Sequence, residues 1–193
     1  GRIVGILPGS RNQEVKRNVP EMFRAARRIH AQHPETRFLV AAFNEHQASI
    51  AREIAARWGM PLEIYLGRTP EIIELCECCI AVSGSVSLEL LYRHKPAVIV
   101  YRLKRRLDMK IAKVMKKSKF ITLVNLLAER ELYPEFLTER DPSVGVAKRI
   151  LEFLDDAHKR QMLVNELAKL CEQVAHPGAC AQAAKLIVGY KKS

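Results

Sequence analysis

The feature that most constrains this chain is an alternation that begins at its first residues. A short apolar run is followed by a turn of small residues and then by a stretch with apolar positions at helical spacing. Ile3 to Leu7 reads as a fully buried strand and Pro8 to Arg11 as a tight turn. Gln13 to Gln32 reads as an amphipathic helix, with Val15, Val19, Phe23, Ala26 and Ile29 among its apolar positions. The unit then recurs. Arg37 to Ala42 is a strand, Glu45 to Trp58 a helix ended by Gly59, Leu62 to Tyr65 a short strand and Pro70 to Cys76 a short helix. Cys79 to Val82 runs through Ser83-Gly84-Ser85 into a helix over Val86 to Tyr92, and Ala97 to Tyr101 follows the turn at Lys95-Pro96. Five strands joined by helical crossovers predict an α/β fold: a Rossmann-like, doubly wound parallel sheet with helices on both faces.

Beyond the fifth strand the pattern changes. Residues 102–119 form a basic amphipathic helix, Ile121 to Leu127 is apolar, Leu132 to Phe136 reads as a short helix, and from Ser143 onward the chain reads as helices broken near Asp155 and at Pro177-Gly178. With 193 residues, 48% of them hydrophobic and 27% charged, the chain is expected to form one domain. Its parts are βα repeats over 1–101, the basic helix over 102–119 and a mostly helical stretch over 120–193. No run reaches the ~20 apolar residues needed to span a bilayer. The first eight residues lack the basic start and cleavage site of an export signal, and a strand entered at once without a methionine points to a piece of a longer protein.

The formal net charge of +11 is concentrated. Between Arg102 and Lys119 there are nine basic residues, among them Lys104, Arg105, Arg106, Lys110 and Lys113, against the single acid Asp108, a local net of +8. Such a patch attracts phosphate-rich surfaces. Leu103, Leu107, Ile111, Val114 and Met115 interleave with the lysines, so the helix suits an anionic membrane surface; alternatively its apolar side packs on the sheet and the lysines are simply solvated. Nucleic acid is not expected, because no aromatic residues are interspersed for stacking. Five cysteines are an odd number. Cys76, Cys78 and Cys79 crowd into four positions without zinc-knuckle spacing and read as reduced, structural thiols of a cytoplasmic protein. None of the six histidines stands out as catalytic.

Ligands of open parallel sheets bind beyond the carboxyl ends of the strands, which directs attention to the turns after the first and fourth strands. In the first, Gly9, Ser10 and Arg11 precede a helix start, where free backbone N–H groups and a guanidinium suit a phosphate; the competing reading is an ordinary βα turn with a solvated arginine. In the second, Ser83, Gly84 and Ser85 allow close approach to the backbone, and Ser85 or Ser87 can cap the helix or bond a phosphate. Glu89 stands one turn further on. A carboxylate there can accept both hydroxyls of a ribose cis-diol, or serve only as a surface acid in the first turn.

Taken in order, Ile6-Leu7-Pro8-Gly9-Ser10-Arg11, Ser83-Gly84-Ser85 through Leu88-Glu89, Pro96 to Arg102, and Asn125-Leu126-Leu127 before Arg130-Glu131-Leu132 and Pro134-Glu135-Phe136-Leu137 resemble the successive motifs of the lipid-A-disaccharide synthase family. The resemblance implies the carboxy-terminal, nucleotide-sugar-binding half of a GT-B glycosyltransferase, with an amino-terminal acceptor domain not included in this chain. It implies UDP-2,3-diacylglucosamine as donor, 2,3-diacylglucosamine 1-phosphate as acceptor, and the inverted, β-1,6-linked disaccharide with UDP as products, formed peripherally at the cytoplasmic face of the bacterial inner membrane.

By the same resemblance Arg11 and Asn125 are catalytic, Glu89 holds the ribose, and Gly9, Ser10, Ser83, Gly84 and Ser85 complete the UDP-sugar site. No metal or other cofactor is expected, since no Asp-x-Asp pair stands at a strand end. The general base is expected in the amino-terminal domain. A homodimer exchanging carboxy-terminal domains fits the family, and oligomeric state stays open. Ser85-Val86-Ser87 replaces a threonine-containing version, and Val124 stands where the family usually has proline. The alternatives are a UDP-sugar epimerase-like GT-B domain and a basic membrane- or nucleic-acid-binding module.

Overall fold

The computed structural model describes residues 2–102 and 119–174, together with residues 178, 181, 184 and 187. Six strands form one parallel sheet: β1 (Ile3–Leu7), β2 (Arg37–Ala42), β3 (Leu62–Leu66), β4 (Cys78–Ala81), β5 (Ala97–Arg102) and β6 (Glu135–Thr138), in the spatial order β3-β2-β1-β4-β5-β6. The order reverses between β1 and β4, which pair through Val4 with Cys78 to Leu7 with Ala81. The turns after these two strands therefore open into the crevice between diverging crossovers, where ligands bind in sheets of this kind.

Alternation along the strands assigns each side chain to one of two cores. Val4, Ile6, Phe38, Val40, Cys78 and Ile80 face α1 (Asn12–His30), α2 (Glu45–Trp58) and α6 (Ser143–Asp155). Leu7, Leu39, Cys79, Ala81 and Ile99 face α3 (Thr69–Leu75), α4 (Val86–Tyr92), α5 (Leu123–Ala128) and α7 (Ala157–Val174). The expected sheet with helices on both faces is thus realised. Burying side chains such as Phe23, Phe38, Ile80 and Tyr133 completely contributes about 1.5–3 kcal/mol each.

The sheet has six strands where the sequence pattern predicts five. Residues 132–136, read as a short helix from their apolar spacing, instead enter β6, whose Glu135 to Thr138 pair with Ile99 to Arg102. Pro134 lies in this segment, and its carbonyl accepts the Ile99 N–H at 2.8 Å. The N–H groups of Leu132 and Tyr133, which a helix would direct along its own axis, are taken by a side chain described below.

Gly5 marks the tightest point of the central strand. A Cβ there would meet Cys79 Sγ at 2.8 Å and Cys76 Sγ at 3.1 Å. Gly5→Ala is expected to destabilise the domain by about 1–3 kcal/mol through overpacking, and Cys79→Ala in the same chain should restore part of the loss. Urea titration of the two variants checks this; an unchanged midpoint in Gly5→Ala would contradict the close approach.

Candidate functional site

The turns after β1 and β4 enclose a cleft of ≈ 440 Å³ that brings together Gly9, Ser10, Arg11, Ser83, Gly84, Ser85 and Glu89. Seven of the residues singled out from sequence thus converge on one place although they are as far apart in the chain as Gly9 and Glu89. Gly9 has φ +104°, and a Cβ on it would lie 2.9 Å from Glu14 Oε2 and 3.1 Å from Val82 Cγ2. The turn needs glycine for both backbone and space. Arg11 is extended (φ −98°, ψ 131°) just before α1, its side chain 81% exposed over the cleft, with Nη1 donating to Glu14 Oε1 at 2.9 Å. Glu89 is partly exposed, and Arg93 Nε approaches its carboxylate at 3.5 Å.

A residue that sequence reading missed holds the first turn in place. Gln47 is buried in α2, and its Nε2 donates to Ser10 O at 2.8 Å and to Asn12 Oδ1 at 3.2 Å, while its Oε1 accepts from Phe43 N–H at 3.0 Å. One side-chain amide thereby ties the β1 turn, the start of α1 and the end of β2 together. The signal in the sequence is slight: a long polar residue one turn into a helix whose buried face is otherwise alanine.

The second turn is arranged differently from either capping expectation. Ser87 is buried and donates to Gly84 O at 2.7 Å, so it shapes the turn and does not face a ligand. Ser85 is exposed and its side chain does not cap α4. Ser83 Oγ donates to Ile121 O at 3.2 Å, connecting this turn to the loop before α5.

Asn125, expected in contact with the nucleotide sugar, corrects that expectation: its side chain is fully buried and engaged. Its Nδ2 donates to Tyr133 O and Glu135 Oε1, each at 2.8 Å, and its Oδ1 accepts from Leu132 N–H and Tyr133 N–H, each at 2.9 Å. Glu135 also accepts from Ile121 N–H at 2.8 Å, Thr122 N–H at 2.9 Å and Thr122 Oγ1–H at 2.6 Å. Asn125 and Glu135 thus lock the loop to which Ser83 is bonded. Asn125 is a positioning residue, and the need to satisfy every buried polar group explains why an asparagine and a glutamate stand in an otherwise apolar region.

Arg102 also departs from its expected place on a solvated basic face. It ends β5, its N–H donates to Asn18 Oδ1 at 3.2 Å, and its guanidinium is ion-paired with buried Glu21, which Arg24 also contacts at 2.7 Å. Burial raises the Glu21 pKa from its ordinary value, a rise the hydrogen bond from Arg24 and the charge of Arg102 hold back. Lys104, Arg105, Arg106, Lys110 and Lys113 lie outside the described residues. No described helix is long and apolar enough to cross a membrane. Cys76, Cys78, Cys79 and Cys171 are free and buried; burial pushes the Cys78 thiol up, and the hydrogen bond with Cys76, followed by burial, does the same for Cys79. Such thiols are poor nucleophiles, in keeping with a packing role.

With the turns and cleft in place, comparison with known proteins becomes informative. A family model described as lipid-A-disaccharide synthetase matches residues 1–187. The chain belongs to the lipid-A-disaccharide synthetase family. The lipid-A-disaccharide synthase of Anaeromyxobacter dehalogenans (strain 2CP-C) is 30% identical over 187 residues, covering 96% of this chain and 49% of that protein. That of Gloeothece citriformis (strain PCC 7424) is 30% identical over 189 residues, covering 97% and 49%.

The chain spans about half the length of these synthetase relatives and corresponds to their carboxy-terminal half. Among solved structures, a putative UDP-N-acetylglucosamine 2-epimerase from Listeria monocytogenes superposes with a TM-score of 0.57 at 15% identity, over 85% of this chain and 39% of that one. The C-terminal CMP-Kdo binding domain of WaaA from Acinetobacter baumannii gives 0.55 at 12% identity, over 88% of both. These two show the fold: the chain has the open parallel sheet of GT-B-type domains.

Proposed function

We propose that this chain is the donor half of a glycosyltransferase that moves a 2,3-diacylglucosaminyl group from UDP to 2,3-diacylglucosamine 1-phosphate, releasing UDP and forming the β-1,6-linked lipid A disaccharide. The observation that carries the reading is the convergence of the Gly9–Arg11 and Ser83–Ser85 turns and Glu89 on one cleft at the switch point of the sheet. In this reaction the acceptor hydroxyl attacks the anomeric carbon as the bond to the diphosphate breaks, and the electron pair leaves with UDP. The Arg11 guanidinium and the backbone N–H groups of the two turns stabilise the charge that develops there. Glu89 accepts the ribose hydroxyls. The proton released by the acceptor passes to a base outside this chain, in the amino-terminal domain. No cofactor is invoked, and the UDP-sugar is a substrate.

The enzyme would act at the cytoplasmic face of the inner membrane, where the acyl chains of both substrates reside, with the basic stretch after β5 adding attraction to anionic lipid. Calorimetric titration with UDP tests the donor site, with ADP and CMP as controls. UDP is expected to bind preferentially, and Arg11→Ala and Glu89→Ala should each weaken it at least tenfold, as about 1.4 kcal/mol of charge-assisted bonding is lost. Equal binding of all three nucleotides, or UDP binding untouched by both substitutions, would refute the assignment.

A further inference from the structure

Arg93 belongs to none of the sequence motifs and does not line the cleft, yet it reaches the carboxylate that the donor reading assigns to the ribose. It directly follows α4, and its backbone N–H donates to Glu89 O at 3.0 Å, so the two side chains share one face of the helix end. Nη1 donates to Glu74 Oε2 of α3 at 3.0 Å, while Nε stands 3.5 Å from Glu89 Oε1. One guanidinium thus spans two carboxylates on neighbouring helices.

Two properties set the contact with Glu89 apart from an ordinary i,i+4 pair on a solvated helix. Nε is buried from solvent and makes no hydrogen bond among the described residues, although a carboxylate oxygen lies 3.5 Å away. The guanidinium is also held back by Glu74, which takes the hydrogen bond that Glu89 does not. Arg37 shows the alternative: it closes on Glu63 through Nε and Nη2 at 2.8 Å each, and both oxygens of that glutamate are engaged. Glu89 is attracted by Arg93 without being occupied by it.

That arrangement suits a cis-diol. Two hydroxyl donors need two acceptor oxygens presented together, and a carboxylate already closed on an arginine would have to break that bond first. A glutamate left wholly free would instead lose its rotamer freedom on binding. A charge held at 3.5 Å restrains the side chain and leaves its oxygens to the ligand.

We infer that Arg93 is a positioning residue for the nucleotide's ribose: it holds Glu89 in the orientation in which its oxygens meet the 2′- and 3′-hydroxyls, and so sets the preference for an intact cis-diol. The inference rests on the assignment of Glu89 to the ribose and adds to it a residue that touches no substrate.

The test is calorimetric titration of the chain with UDP and with 2′,3′-dideoxy-UDP. Wild type is compared with Glu89→Gln, Arg93→Ala, Arg93→Lys and the double variant Glu89→Gln/Arg93→Ala. The ratio of the two affinities is the readout, because general damage to the turn or the fold weakens both nucleotides alike. Wild type is expected to prefer UDP by about tenfold through charge-assisted bonds to the diol, and Glu89→Gln should lower this ratio most. Arg93→Ala should lower it by about threefold, with dideoxy-UDP binding unchanged, and Arg93→Lys should recover part of the loss because it restores charge without the guanidinium's reach to both carboxylates. On the Glu89→Gln background, Arg93→Ala should have no further effect on the ratio.

A ratio untouched by Arg93→Ala while Glu89→Gln lowers it would overturn the inference and leave the ribose assignment standing. An Arg93→Ala effect that persists in full on the Glu89→Gln background, or one that weakens both nucleotides equally, would overturn it in the same way. If Glu89→Gln leaves the ratio at its wild-type value, the ribose assignment itself fails and the inference falls with it.

Discussion

Replacing Asn125 by alanine is expected to lower the unfolding free energy by about 3–5 kcal/mol and the melting temperature by on the order of 10 °C. The substitution removes two donated and two accepted hydrogen bonds in a fully buried position, with partners Tyr133 O, Glu135 Oε1, Leu132 N–H and Tyr133 N–H. No water replaces them without opening the loop, so each orphaned group costs about 1–3 kcal/mol, moderated by relaxation. Asn125→Asp should fare no better. It can still accept from the two backbone N–H groups, but it cannot donate while ionised and sets its charge against Glu135. Chemical denaturation of both variants is the measurement. A loss within 1 kcal/mol of wild type would mean that the network does not hold the loop, and a direct ligand-binding role for Asn125 would regain its force.

The second large effect concerns Arg102 and depends on pH. Glu21 is 4% exposed and its pKa is raised from the ordinary 4.5 because burial disfavours the carboxylate; Arg24 and Arg102 offset this in part. A raised folded-state value means that Glu21 favours folding most when protonated, below 4.5, and that this contribution is lost as pH rises through the folded value. Arg102→Ala removes one of the two compensating cations and raises that value further.

The variant should therefore be close to wild type near the lower end of this window and destabilised by about 2–3 kcal/mol at neutral pH. This is less than the 3–5 kcal/mol of a fully broken buried pair because Arg24 remains. Urea midpoints across the acid-to-neutral range test the sign. Adding Glu21→Gln should flatten the pH dependence of the difference. A difference that grows toward acid pH would show that Arg102 acts through another group.

Both effects fall on residues whose sequence reading pointed elsewhere, and the reason is common to them. The family resemblance puts Asn125 at the nucleotide sugar, and the basic run that follows puts Arg102 on a membrane-facing or solvated helix. In the structure each is consumed by partners beyond its own element, Glu135 and Tyr133 in one case and Glu21 in the other. Gln47 escapes a sequence reading for the opposite reason. It sits in no motif, and its significance lies in what packs around it.

What the sequence by itself determined is local or periodic. Two-residue alternation, helical spacing and Gly/Ser turns specified β1 to β5, the crossover helices and the sites of the two turns, because strand burial and turn conformation are decided by neighbours in the chain. It also carried the resemblance that the family match bears out. Only the tertiary structure decided that residues 135–138 form a sixth strand, since its hydrogen bonds lie on β5 and its preceding N–H groups on Asn125. Only the tertiary structure likewise showed which polar side chains are spent inside the fold and which stay open toward the cleft. Hydrogen bonds and ion pairs are satisfied in three dimensions, and no spacing along the chain records which partner will be there.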